Sequence, residues 1–483
     1  MRLDYQFSPD QIERFSRYFL YFALFGFVFI ISFTRIHNGD IWWSMAEGRE
    51  IATSHSLQNE NRFSYTFLSQ PWNSAQWLFS LSAYGIHLLT GVPGLILIKI
   101  AVFLFIILLL IKILQPRMPD QFVLILLLLL FILSVHFRIM IRAHLFSILF
   151  FTMFLLLVDR YRNGQHNYLY WLSLITLFWS NFHSGLVFGF GLLALVALED
   201  FLPVLFTNRR SFQQLISKPI LRHYMVAAIA CLLTSFINPQ GPYWLVHATT
   251  HLDIGGLITL VEYQPSWELL PTTLPYFFLV ITYLTITIIR IITTRRFQPY
   301  DLAAPVFLYF SFRHNRIIPY FSAIAILSCA YSLISLKNTA NIRFLKKVDG
   351  RSSKPQIIRL LLGLFLILSP LFLFGRLSFF PAQIDFGLGI NNFRLPVKAT
   401  RFLKANPIAG NVFNSYYWGG YLVWQLYPEK QIFIDGRVPA YPARFMQTAR
   451  EMRFNSQIFQ AVKDAYNFQY LIFPRDYLSW VSS

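Results

Sequence analysis

Charge is scarce in this chain: 13% of its 483 residues are Asp, Glu, Lys or Arg, against about 25% in an ordinary soluble domain. With 55% hydrophobic residues and 51 phenylalanines, the deficit excludes a chain that hides its apolar side chains in one water-soluble core. Much of the surface must face lipid. Cysteine is nearly absent. Cys231 and Cys329 both sit in apolar runs, which excludes a disulfide framework and a cysteine-based metal site. No internal repeat at solenoid spacing and no low-complexity tract is present. Acidic residues are the scarcer sign, since 41 Lys and Arg against 22 Asp and Glu leave a formal charge of +19. In a membrane chain such an excess collects in cytoplasmic loops, and no basic stripe has the folded context of a nucleic-acid site. No nucleic-acid partner is expected.

Long apolar runs are what the chain has instead. Segments 17–35, 94–114, 120–137, 143–158, 168–181, 184–206, 223–237, 273–293, 301–312, 317–336 and 357–376 approach the ~20 residues that a helix needs to cross hydrocarbon. A further run, 76–90, is short. The expectation is an α-helical polytopic membrane protein with about 11–13 transmembrane helices. The run from Tyr18 to Phe33 is followed by Thr-Arg-Ile-His-Asn, not by small residues, so it reads as a retained span and not a cleaved signal. Basic residues crowd 207–222, 290–296 and 337–359, whereas 238–272 has no Lys or Arg but holds Asp253, Glu262 and Glu268. The basic loops should therefore be cytoplasmic and 238–272 external. Counting from these anchors puts 138–142, 181–184, 313–316 and everything after 376 outside. The loop 36–75 joins them only if 76–90 is re-entrant or interfacial, or if 76–137 divides differently.

The tail from about 391 changes character. Strand-like runs (Asn411–Phe413, Gln431–Ile434, Tyr470–Phe473) alternate with helical ones (Tyr416–Leu426, Ala443–Arg453, Ile458–Tyr466), as in a small α/β domain. The expected division is a transmembrane module over 1–376, with first external loop 36–75, and a C-terminal extracytoplasmic α/β domain over 377–483.

Asp40 stands where the first span ends, with Trp42 and Trp43 after it as interfacial anchors would be. A carboxylate there suits proton abstraction from a hydroxyl, and equally suits a helix N-cap. Glu47, seven residues on, returns to roughly the same helical face; it is a second catalytic candidate or a solvated charge. Basic groups mark three further span junctions: His136, Arg138, Arg142 and His144; Asn181 and His183; Arg313, His314 and Arg316. Arginine forks match phosphate geometry, so Arg313, Arg316, Arg138 and Arg142 are candidates for an anionic headgroup, or for plain snorkelling. His183 has no ligand-spaced neighbour for a metal. Glu262 is a candidate for substrate hydroxyls or an exposed glutamate. In the tail, Tyr416-Tyr-Trp-Gly-Gly-Tyr421 and Asp435-Gly-Arg437 suit either sugar stacking or core packing.

The ordered set of these motifs resembles the GT-C superfamily of membrane glycosyltransferases, and in particular bacterial family-39-like members. The set runs from Asp40-Ile-Trp-Trp through Arg142-Ala-His-Leu-Phe, Trp179-Ser-Asn-Phe-His183 and Arg313-His-Asn-Arg316 to Trp418-Gly-Gly-Tyr-Leu and Phe433-Ile-Asp-Gly-Arg437. The resemblance implies a polyprenyl-phosphate sugar donor and an inverting transfer to a hydroxyl acceptor, whether glycan, lipid or protein. It also implies a bacterial cytoplasmic membrane with the active face outward. Asp40 would be the catalytic base or its organiser, with His183, Asn181, His144 and Glu262 near the substrate. No Asp-x-Asp follows in the next external loop, so a divalent cation (Mg or Mn) stays open. A flippase for lipid-linked sugar and a non-catalytic scaffold are the competing readings.

Overall fold

With no water in hydrocarbon to satisfy backbone N–H and C=O groups, a run of Leu, Ile, Val and Phe has helix as its stable local solution. The computed structural model describes residues 8–118, 120–207, 219–245, 263–339, 354–375 and 386–474. The chain folds into a helical polytopic bundle with a small two-stranded sheet in its tail. Its helices are α1 (Pro9–Ser32), α2 (Asp40–Ser54), α3 (Trp77–Leu114), α4 (Gln121–Val135), α5 (Ala143–Arg162), α6 (Trp171–Phe182), α7 (Leu186–Thr207), α8 (Pro219–Ser235), α9 (Leu274–Thr294), α10 (Ala303–Arg313), α11 (Ile318–Thr339) and α12 (Lys354–Gly375). Among the described residues, six helical stretches are long and apolar enough to cross a membrane: Asp10–Ser32, Trp77–Leu114, Gln121–Arg138, Ala143–Arg162, Leu274–Thr294 and Asn315–Thr339. Some other apolar helices are too short to cross in one piece; α6 has 12 residues and α10 has 11.

Polar contacts sort the helix ends into two sets. At one end Arg117 pairs with Asp159 at 2.8 Å, and Arg162 pairs with Glu199 at 2.7 Å and Asp200 at 2.8 Å. Arg290 pairs with Asp301 there as well. The Glu199 carboxylate also accepts the backbone N–H groups of Tyr300, Leu302 and Ala303 at the start of α10, where a helix leaves donors unpaired. At the opposite end Asn38 donates to the Ile141 carbonyl, Trp77 to Asn181, Asn181 to the Ile237 carbonyl, and the Asn315 N–H to the Gln264 carbonyl. The turns at 138–142, 181–184 and 313–316, which the loop charges group together, therefore share one end with the loop 36–75, whose side those charges left open.

The short run 76–90 is the first half of α3. That helix breaks at Gly91, whose φ of 66° and ψ of −161° a side chain would resist, and Pro93 follows. Before the break α3 lies on α2, and Tyr84 and His87 meet the Trp424 ring at 6.2 and 5.2 Å. This half thus packs against the loop and tail.

The tail contributes α13 (Val397–Ala405), β1 (Asn411–Asn414), α14 (Tyr416–Leu426), α15 (Ala443–Glu451), α16 (Ser456–Tyr466) and β2 (Phe468–Ile472). Strands β1 and β2 pair in parallel. Residues 431–434 do not join them as a third strand. The Asn414 side chain accepts the Phe433 N–H and donates to the Ile434 carbonyl, while Ile432 bridges to Ser64 in the first loop. A side chain has replaced a ladder partner. Trp42 and Trp43 are not interfacial anchors either: both are buried, Trp42 edge-on to Tyr421 at 5.0 Å and Trp43 edge-on to Trp72 at 6.1 Å.

Candidate active site

Asp40 opens α2, but the N-cap is Gly39 and no side chain caps this helix. Its carboxylate is therefore available for other work. It pairs with Arg142, which stands at the turn before α5, and accepts from Trp43 Nε1 at 3.4 Å. The pair lines a cavity of about 780 Å³ at the shared end of the bundle, together with Arg138, His144, His183 and Arg316. Arg316 stacks on the Tyr263 ring at 4.9 Å. The cavity wall opposite the helix ends comes from the tail: Tyr416, Tyr417, Trp418, Gly436 and Arg437.

Two glycines let the tail come this close. A Cβ on Gly420 would collide with the Gly39 carbonyl oxygen, and one on Gly436 would collide with Asp40 Oδ1. The Gly-Gly and Asp-Gly-Arg motifs are thus contact surfaces around Asp40. Behind them Asp435 and Arg437 form a fully buried ion pair at 2.7 Å.

Glu47 does not share the cavity with Asp40. It is buried on the other side of Trp72, accepting from Trp72 Nε1 at 2.9 Å, Ser74 Oγ at 2.8 Å and Ser80 Oγ at 2.7 Å. Burial pushes its pKa up, opposed by those hydrogen bonds and by the Arg437 charge. It joins α2, the following loop and α3. Asn181 is likewise a tie between helices and does not line the cavity. Arg313 points to the exposed surface, away from the cavity that holds Arg316. Glu262 lies outside the described residues, as do Asp253, Arg209, Arg210 and Lys218.

His183 has a defined tautomer. The Gly185 N–H can only donate, and it reaches Nδ1 at 3.1 Å, while Ser147 Oγ lies 2.7 Å from the same nitrogen. A neutral His183 therefore carries its proton on Nε2. His144 Nε2 faces the Arg138 carbonyl at 2.9 Å and so carries a proton too.

The overall arrangement matches solved structures. The archaeal oligosaccharyltransferase of Archaeoglobus fulgidus, in its apo form, aligns with a TM-score of 0.57 at 14% identity, over 94% of this chain and 69% of that one. The chain has the fold of an oligosaccharyltransferase. The same enzyme tethered to an acceptor peptide containing the NVT sequon gives 0.56 at 13% identity, over 95% of this chain and 68% of that one. Its complex with Zn and sulfate gives 0.52 at 13% identity, over 94% and 67%. This bears out the GT-C-like architecture. No protein-family model matches the sequence, and no curated protein does.

A divalent cation does not fit the described residues. Asp40 is the one carboxylate among those lining the cavity, and Arg142 already occupies it. Nε2 of His183 and of His144 carry protons, and no group of three or more His, Cys, Asp or Glu side chains is found among the described residues.

Sequence reasoning did not assign Trp43, Trp72, Tyr263, Tyr320 and Phe393 to the site, yet all five line the cavity. The two tryptophans lie within the same first loop region as Asp40. The remaining aromatics lie among so many others that no pattern marks them.

Proposed function

We propose that this chain is a GT-C-type glycosyltransferase that moves a sugar, with inversion, from a polyprenyl-phosphate donor to a hydroxyl acceptor. The reaction takes place at the outer face of a bacterial cytoplasmic membrane, with residues 377–483 outside. The observation that carries this reading is the Asp40–Arg142 pair inside a cavity that Arg138 and Arg316 also line. Arg142 fixes the direction of the Asp40 carboxylate. Asp40 takes the proton of the acceptor hydroxyl, whose oxygen attacks the anomeric carbon from the face opposite the phosphate. The bond from that carbon to the phosphate oxygen breaks, and its electron pair leaves with the lipid phosphate. Arg316 and Arg138 offset the charge that develops there, the step at which fixed cations help most. His183 presents an Nε2–H donor for a substrate oxygen. A protein of the same fold has been captured with an acceptor peptide, which supports transfer to an acceptor.

The test is transfer from a panel of radiolabelled polyprenyl-phosphate sugars by wild type and Asp40→Asn. Wild type should move label to an acceptor or to water, and the variant should lose about 10²–10⁴-fold in rate while keeping donor binding. Full activity in Asp40→Asn ends the assignment. Binding without turnover in both proteins favours a carrier of lipid-linked sugar.

A further inference from the structure

Two aromatic side chains at the cavity are left largely in the open: Phe393 is 90% exposed and Tyr417 is 55% exposed. Trp418 lies beside them, and its ring is pinned by a 2.8 Å hydrogen bond from Nε1 to the Arg394 carbonyl. Exposing such surface has a cost that burial would recover, and the interior of the tail is already well filled with other aromatics. Their place is specific. The Tyr417 backbone lies against Gly39, the residue before Asp40. Arg138 and Arg316 stand at the ends of the bundle helices, whereas these rings come from the tail, and all of them line the same cavity as Asp40.

We propose that Phe393, Tyr417 and Trp418 form a platform on which a carbohydrate ring of the acceptor stacks, bringing its hydroxyl to Asp40. The apolar face of a sugar suits flat, amphipathic rings, and the polar side chains around them, Asn38 and Asn73 among those lining the cavity, suit its hydroxyls. The acceptor is then a glycan, and not a protein hydroxyl or a simple lipid. This inference rests on the reading of the site given above.

The test uses the full chain in lipid nanodiscs, titrated with neutral trisaccharides of glucose, mannose and N-acetylglucosamine and followed by saturation-transfer NMR. Wild type should bind at least one of them. Tyr417→Ala and Phe393→Ala should each weaken binding about five- to tenfold, and Tyr417→Phe less than about twofold. Failure of wild type to bind any trisaccharide, or alanine variants that bind as wild type does, would overturn the platform. Variants that keep saccharide affinity but no longer reconstitute into bilayers would identify the rings as membrane anchors and overturn it as well. Turnover of polyprenyl-phosphate sugar by wild type, without trisaccharide, reports on the reaction separately. Turnover without trisaccharide binding removes the platform alone. Tyr417-dependent binding without turnover removes the reaction alone and leaves a carbohydrate-binding cavity.

Discussion

Asp435→Asn offers a sharp test of how the tail is held against the first loop. Neither Asp435 nor Arg437 is exposed at all. Arg437 Nε donates to both Asp435 oxygens at 3.0 and 3.1 Å, and Nη2 donates to Asp435 Oδ2 and to Asn61 Oδ1, each at 2.7 Å. The guanidinium also lies over the Phe63 ring at 4.5 Å and the Trp72 ring at 5.1 Å, so one arginine joins the tail to three first-loop residues. Burial works against its charge, but Asp435 outweighs that and its pKa rises. Asparagine keeps the shape while removing the counter-charge. Breaking a buried pair in this way costs about 3–5 kcal/mol; the two ring faces meet the guanidinium before and after the change and so cancel. In a unit of this size each kcal/mol moves the unfolding midpoint by about 4–8 °C, so a shift of at least about 12 °C is expected. Tail unfolding can be followed by protease cleavage against temperature at a fixed heating rate. Asp435→Leu combined with Arg437→Met removes both charges and should recover most of the loss. A single variant that melts within about 2 °C of wild type, or a double variant no better than the single, would refute the argument.

Glu47→Gln should keep turnover near wild type, because the glutamine oxygen still accepts from Trp72 and its amide can bond the serines. The Glu47 pKa lies above its unfolded value, so its contribution to stability is fully present below about pH 4 and is lost as pH rises through the folded pKa. The glutamine variant should therefore gain stability relative to wild type as pH rises above about 4, read from denaturation midpoints. A hundredfold loss of turnover at unchanged stability would instead return Glu47 to the reaction. Gly436→Ala puts a methyl group onto Asp40 Oδ1 and 3.1 Å from Trp43 Nε1. Turnover should fall about a hundredfold, as for a reacting group displaced by about 1 Å, with the tail still protease-resistant. Wild-type rates would show that Asp40 is free to move aside.

The sequence alone determined those features that local chemistry and its period specify. Apolar runs specify helices, loop charges specify which turns share an end, and Tyr416–Leu426 is helical in the structure as its pattern implies. Asp40 was legible because a carboxylate at the edge of a span is rare enough to stand out. Glu47 misled, since helical periodicity describes a bare cylinder. In the fold, that face of α2 is divided by Trp72, which leaves Asp40 in the cavity and Glu47 behind it. Arg313 and Arg316 look equivalent in sequence, yet the turn between α10 and α11 sends one outward and one inward.

Only the tertiary structure decided that Arg142 is the arginine that reaches Asp40, and that Gly420 and Gly436 bring the tail against the α2 N-terminus. Helix order along a chain does not specify which helix lies beside which, because many apolar faces of Leu and Phe are interchangeable as surfaces. Their lateral arrangement is settled by shape, through interdigitating side chains and by the few glycines at which two backbones can touch.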